Sequence, residues 1–198
     1  LFTAAFASQD DAEEHLSNGA VTVDSGDLDL GNDNGQDQVI GLRFDQIGIP
    51  KGATITGAYL QFTADESDTA EASFVIRGEA VEDAASYLEN AFNISSRSVT
   101  QSSAQWSPGS WSSGDSTDSQ TTPDLSHILQ EIIDQQGWTE DNAISFVISG
   151  TGSRVAESLD GNKSKAAPVL HVEWSMENGN SDSPSETSQV SIPPETNS

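Results

Sequence analysis

The sequence predicts an all-β fold, a jelly-roll-like antiparallel β-sandwich carrying one amphipathic helix. Three observations predict it. The run from Leu42 to Phe62 reads as strand, turn, strand. Apolar residues elsewhere recur in short stretches with a period of two, the pattern of half-buried strands. A single stretch, residues 123–136, shows helical periodicity instead.

The elements follow in chain order. Asp10 to Glu14 is an acidic cluster, and Ala20 to Val23 is a short strand. Asp24 to Asp37, rich in Asp, Gly and Asn, reads as a loop. Val39 to Phe44 and Thr54 to Ala64 are strands. Pro50-Lys51-Gly52 forms the turn between them, proline fixing φ and glycine tolerating positive φ. Ala58, Leu60, Phe62 and Ala64 fall on one face. Asp65 to Asp68 is an acidic turn, and Ala72 to Glu79 is a strand with Phe74 and Ile76 on one side. Val81 to Asn90 is a short helix or an irregular segment, and residues 95–122 form a long polar loop. In the helix, Leu125, Ile128, Leu129, Ile132 and Ile133 make the apolar stripe. Thr122 is the expected N-cap, Pro123 the first helical residue and Gly137 the stop. Ala143 to Gly150 and Val169 to Trp174 are the last strands. The expected core contains Leu42, Phe44, Leu60, Phe62, Phe74, Ile76, Leu129, Ile132, Ile133, Phe146, Ile148 and Val172.

Three units are expected: an arm or signal remnant at residues 1–9, the sandwich at 10–175, and a linker or tail at 176–198. Ala5-Phe6-Ala7 fits the small-x-small rule of signal-peptide cleavage, so the arm and remnant readings both stand. The tail is rich in Ser, Pro and Glu, as linkers are.

Charge narrows the function. The chain has 198 residues, with 32 acidic against 7 basic and a net charge of −25. Nucleic acid is disfavoured as a partner because its phosphates require Lys and Arg. Anionic membrane surfaces are disfavoured on the same ground. No stretch approaches the roughly 18 apolar residues of a membrane span. Such a surface repels itself and suits a medium in which salt or bound cations offset the repulsion. The absence of cysteine excludes disulfide scaffolds and thiolate metal sites.

The residues Leu42-Arg43-Phe44, Ile49-Pro50, Gly52-Ala53-Thr54-Ile55-Thr56, Trp106-Ser107-Pro108, Trp111, Pro123 to Ile133 and Ala167 to Trp174 occur in an order that resembles bacterial extracellular modules of the DNRLRE type and related carbohydrate-binding-like jelly rolls. The resemblance covers about residues 10–175. It implies a sandwich of eight or more strands, often with bound calcium, in secreted or surface proteins.

Four kinds of site follow. Calcium takes six to eight oxygens, and four acidic groups can supply them: Asp10, Asp11, Glu13 and Glu14; Asp27, Asp29 and Asp33; Asp65 and Glu66; Glu157 and Asp160. The expected ligands are Asp11, Glu13, Asp65, Glu66, Glu157 and Asp160. Arg154 is an alternative partner for Glu157 or Glu79. Trp106 and Trp111 are candidates for stacking on sugar rings, against the simpler reading that they plug the core. Leu1, Phe2, Ala4 and Phe6 can present alternate side chains to the open edge of another subunit. Gln189 to Pro194 is a second such segment, with two prolines that lack a ladder donor. The histidines His15, His127 and His171 are far apart, and H-E-x-x-H, G-x-S-x-G and P-loop motifs are absent. The expectation is therefore a non-enzymatic, extracellular or cell-surface structural protein. It is a filament subunit joined to copies of itself by terminal strands and stabilised by calcium. The alternative is a calcium-stabilised carbohydrate-binding module whose partner is a polysaccharide.

Overall fold

The computed structural model describes residues 2–7, 10–161 and 166–176. Expectations placed on Leu1, on the 177–198 tail and on Gln189 to Pro194 lie outside the described residues.

Among the described residues, twelve strands and one α-helix build an antiparallel β-sandwich. The strands are β1 (Phe2–Ala7), β2 (Asp10–His15), β3 (Val21–Thr22), β4 (Asp27–Leu30), β5 (Asn32–Asp33), β6 (Gln36–Phe44), β7 (Thr54–Gln61), β8 (Ser73–Gly78), β9 (Ala104–Trp106), β10 (Ile144–Thr151), β11 (Arg154–Glu157) and β12 (Val169–Ser175). Helix α1 is Ser126–Ile133. One layer is a seven-stranded sheet in the order β3-β2-β6-β10-β8-β9, with β5 also paired to β6. The other contains β1-β12-β7 and the pair β11-β4. These two parts join where β7 runs on: Glu157 N donates to Thr63 O at 2.9 Å and Asp65 N to Val155 O at 2.9 Å.

Alternation decides what is buried. Ile40, Leu42 and Phe44 of β6, Leu60 of β7, Phe74 and Ile76 of β8, and Phe146 and Ile148 of β10 form one core with Leu28, Leu30 and Val172. Every residue expected in the core belongs to it. On the far face of the seven-stranded sheet, Tyr87 and Ile94 from an irregular segment pack on Ala12, Val39 and Val147 in a second cluster. Gly41 is required beneath the Tyr87 ring, because a Cβ there would run into it.

Helix α1 is shorter than 123–136, and its start is set by β7 rather than by Thr122. Leu60 N donates to Thr122 Oγ1 at 2.9 Å and Thr122 N donates to Leu60 O at 3.0 Å, so Thr122 is engaged as a strand neighbour and cannot cap. Leu125 holds the N-cap position without a side-chain bond. Gly137 does not end the helix through a positive φ; a Cβ there would meet the Glu82 carboxylate at 2.6 Å. Ile128, Leu129, Ile132 and Ile133 are buried, and Gly78 of β8 leaves room for Ile132, whose Cδ1 would lie 2.6 Å from an added Cβ.

Two segments expected as loops carry regular structure, and so does the segment after β10 for which no strand was expected. Residues 24–37 contain β4 and β5, residues 95–122 contain β9 and a 3-10 turn at Asp118–Gln120, and the segment from Arg154 begins with β11.

Candidate cation site

Strand β2 is acidic and yet buried: Asp11, Glu13 and Glu14 are 3%, 7% and 0% exposed. Its carboxylates survive burial by accepting backbone N–H groups from segments that would otherwise be loose. Asp10 Oδ2 accepts from Tyr87 N at 2.9 Å. Asp11 Oδ2 accepts from Leu159 N at 2.8 Å. Glu13 Oε1 accepts from Asp29 N at 2.5 Å. Glu14 Oε2 accepts from Ile94 N at 2.7 Å and from Ser95 N at 3.0 Å.

Glu13 thereby reaches from the seven-stranded sheet to β4 in the opposite layer. In β4 the sequence Asp27-Leu28-Asp29-Leu30 turns both leucines into the core and both aspartates away from it. Glu13, Asp27 and Asp29 each place a carboxylate oxygen within 4.8 Å of the others. Ser25 Oγ lies 3.3 Å from Asp27 Oδ1. The three acidic residues can hold a metal ion.

The electrostatics favour neutralisation. Burial first, and then the charges of Glu13, Asp27, Asp33 and Glu66, together raise the Asp29 carboxyl to about 7. Burial likewise raises Glu13, against the lowering effect of the hydrogen bonds from Asp29 and Ser25. Carboxylates so placed favour either a proton or a cation. The donor set is oxygen only, which suits hard cations.

Of the six expected ligands, the structure brings Glu13 alone into this triad. Glu157 is buried and pairs with Asp27 in the β11–β4 ladder. Asp65 and Glu66 reach β11 through backbone bonds to Val155 O, at 2.9 and 3.5 Å, and Val155 is the ladder partner of Asp29. Glu66 acts on Asp29 through its charge. Asp11 is committed to Leu159, and Asp160 is exposed beyond the end of β11. The sequence grouped Asp27 and Asp29 as acidic but placed them in a loop. The overlooked signal is their Asp-Leu-Asp-Leu alternation, which sets two carboxylates on one face of a strand.

The other candidates resolve differently. Trp106 and Trp111 are 4% and 1% exposed, so neither offers a ring face to a sugar. Trp106 stacks on Phe62 with centroids 5.5 Å apart and planes at 16°. Trp111 Nε1 donates to Ser119 O at 2.9 Å. Arg154 pairs with neither Glu157 nor Glu79. Among the described residues its carboxylate partner is Asp68, at 3.8 Å, and its guanidinium donates to carbonyls of Ala70, Gly109 and Ser153. Glu79 pairs with Arg97 at 2.8 Å. Phe2, Ala4 and Phe6 lie in β1, which pairs antiparallel with β12 of the same chain in the register Phe2↔Trp174 to Ala7↔Val169. No helix among the described residues is long and apolar enough to cross a membrane.

No protein-family model matches the chain. No curated protein matches it.

Proposed function

We propose that this protein is a non-enzymatic structural subunit of an extracellular or cell-surface filament, joined by exchange of strand β1 between copies and stabilised by calcium at Glu13, Asp27 and Asp29. The observation that carries the reading is the position of β1. Among the described residues it is the outermost strand of its sheet and is paired to β12 alone. Its successor β2 belongs to the other layer. A strand held along one edge, with the next element anchored elsewhere, can leave without unravelling the core. The same strand of another copy restores every ladder bond it gave up, so exchange costs little in contacts. Passed head to tail, that contact generates a filament. Calcium fits because it accepts carboxylate oxygens in flexible geometry, and because a chain of net charge −25 must neutralise itself to pack against its own copies. The likeness to DNRLRE-type modules supports the extracellular setting. The carbohydrate-binding alternative relied on the faces of Trp106 and Trp111, which lie in the core.

Engineered cysteines test the exchange, since the chain has none of its own. Thr3 and Glu173 are ladder partners. A Thr3→Cys chain and a Glu173→Cys chain, mixed and oxidised in calcium, form an intermolecular disulfide if β1 is exchanged. Failure of the mixture to cross-link, while a single chain carrying both cysteines closes an internal bond, overturns the proposal.

A further inference from the structure

The outer face of β7 and β12 carries a groove apart from the carboxylate triad; its β12 residues His171, Val172 and Glu173 also pair through their backbones with Ala5, Ala4 and Thr3 of β1. It encloses about 310 Å3, near the lower bound for small-ligand pockets. Gly57, which carries no side chain, lets a ligand approach the sheet there. The wall of the groove is Tyr59 and His171, ladder partners whose rings stack with centroids 4.6 Å apart and planes at 13°. Tyr59 is 38% exposed, so the stack keeps aromatic surface toward solvent.

The charged groups at the groove are carboxylates. Asp124 is held in place by three donors: Ala58 N at 3.1 Å, Ser126 N at 3.2 Å and Ser126 Oγ at 2.5 Å. Burial raises its carboxyl, but these bonds and nearby His127 outweigh that, and it stays below the usual carboxylate range. Glu173 supplies the second carboxylate and is exposed. Burial lowers the His171 imidazole from its ordinary value, so at neutral pH it adds no positive charge. Among the described residues, neither Lys nor Arg lines the groove.

We propose that this groove binds a small organic cation, an ammonium or guanidinium on a short aliphatic stem, with the charge between Asp124 and Glu173 and the stem against Tyr59. A cation over an aromatic face gains from the ring quadrupole, and a guanidinium or ammonium pairs with carboxylates through charge-assisted hydrogen bonds. A neutral or anionic ligand gains neither.

The test is an NMR titration of the full chain with n-butylguanidinium chloride at constant ionic strength. The uncharged n-butylurea serves as the isosteric control. Saturable shifts of the Tyr59 and His171 ring signals are expected with guanidinium and not with urea. Tyr59→Ala and Glu173→Gln, both at exposed positions, are each expected to weaken binding by about three- to tenfold. Equal response to butylurea, no saturation at tens of millimolar, or unchanged binding in both variants overturns the proposal. Glucose perturbing the same rings in place of guanidinium also overturns it.

Discussion

At the scale of single residues, the acidic character of this chain is structural as well as superficial. Strand β2 uses its carboxylates to accept the backbone amides of Asp29, Tyr87, Ile94, Ser95 and Leu159. Glu14 shows the consequence most directly, because it is fully buried and accepts from both Ile94 N and Ser95 N. Glu14→Ala leaves both amides without their acceptor and is expected to cost about 1–3 kcal/mol in urea unfolding. A change within experimental error would show that the 90–96 turn does not depend on that carboxylate. Asp29 makes a different prediction. Its folded-state value, about 7, lies above its ordinary value of 3.8. Between those values the native state binds more protons than the unfolded state, so stability without a cation falls as pH rises through that window. Asp29→Asn should flatten the dependence, and calcium should offset the loss at the upper end. Thermal unfolding from pH 4 to 7.5 with chelator checks the sign. A rise in stability across the window that Asp29→Asn abolishes would contradict it.

Among the elements, the strands with uninterrupted apolar alternation were legible from sequence, because burying one face is the dominant energetic demand on them. The runs in β6, β7, β8 and β10 are of this kind. Helix α1 was legible in its stripe and not at its ends. Its caps depend on β7, which takes Thr122 as a ladder neighbour, and no local rule reports a partner 62 residues away. The same difficulty hid β4. An Asp-rich stretch looks like a turn until Leu28 and Leu30 have a core to enter. The cation triad was half legible for that reason: Glu13 was found, whereas Asp27 and Asp29 required β4 to be a strand. The indoles were ambiguous from sequence, since a tryptophan in a polar loop serves equally as a plug or a platform. The 107–122 segment carries Trp111 inward and fixes its N–H on Ser119 O. Trp111→Ala is therefore expected to destabilise the fold by about 3–5 kcal/mol, rather than to remove a ligand selectively. Chemical denaturation reads this directly, and an unchanged midpoint would return Trp111 to the surface.

For the whole molecule, a net charge of −25 on a two-layer sandwich sets the conditions under which it works. Self-repulsion weakens the compact state and opposes contact between copies, and salt screens both effects. A cation bound at the seam of the layers acts more specifically. It neutralises the carboxylates that most oppose one another and ties β2 of one layer to β4 of the other. On the proposed reading calcium binds the folded chain and not the unfolded one, so it should raise the melting temperature by mass action and a chelator should lower it. The central claim is that a removable edge strand and a cation-balanced surface together make this chain polymerise. Negative-stain electron microscopy of the full chain, with calcium and with chelator, tests it most directly. Regular fibres in calcium that disperse in chelator are predicted; dispersed monomers in both would contradict the account.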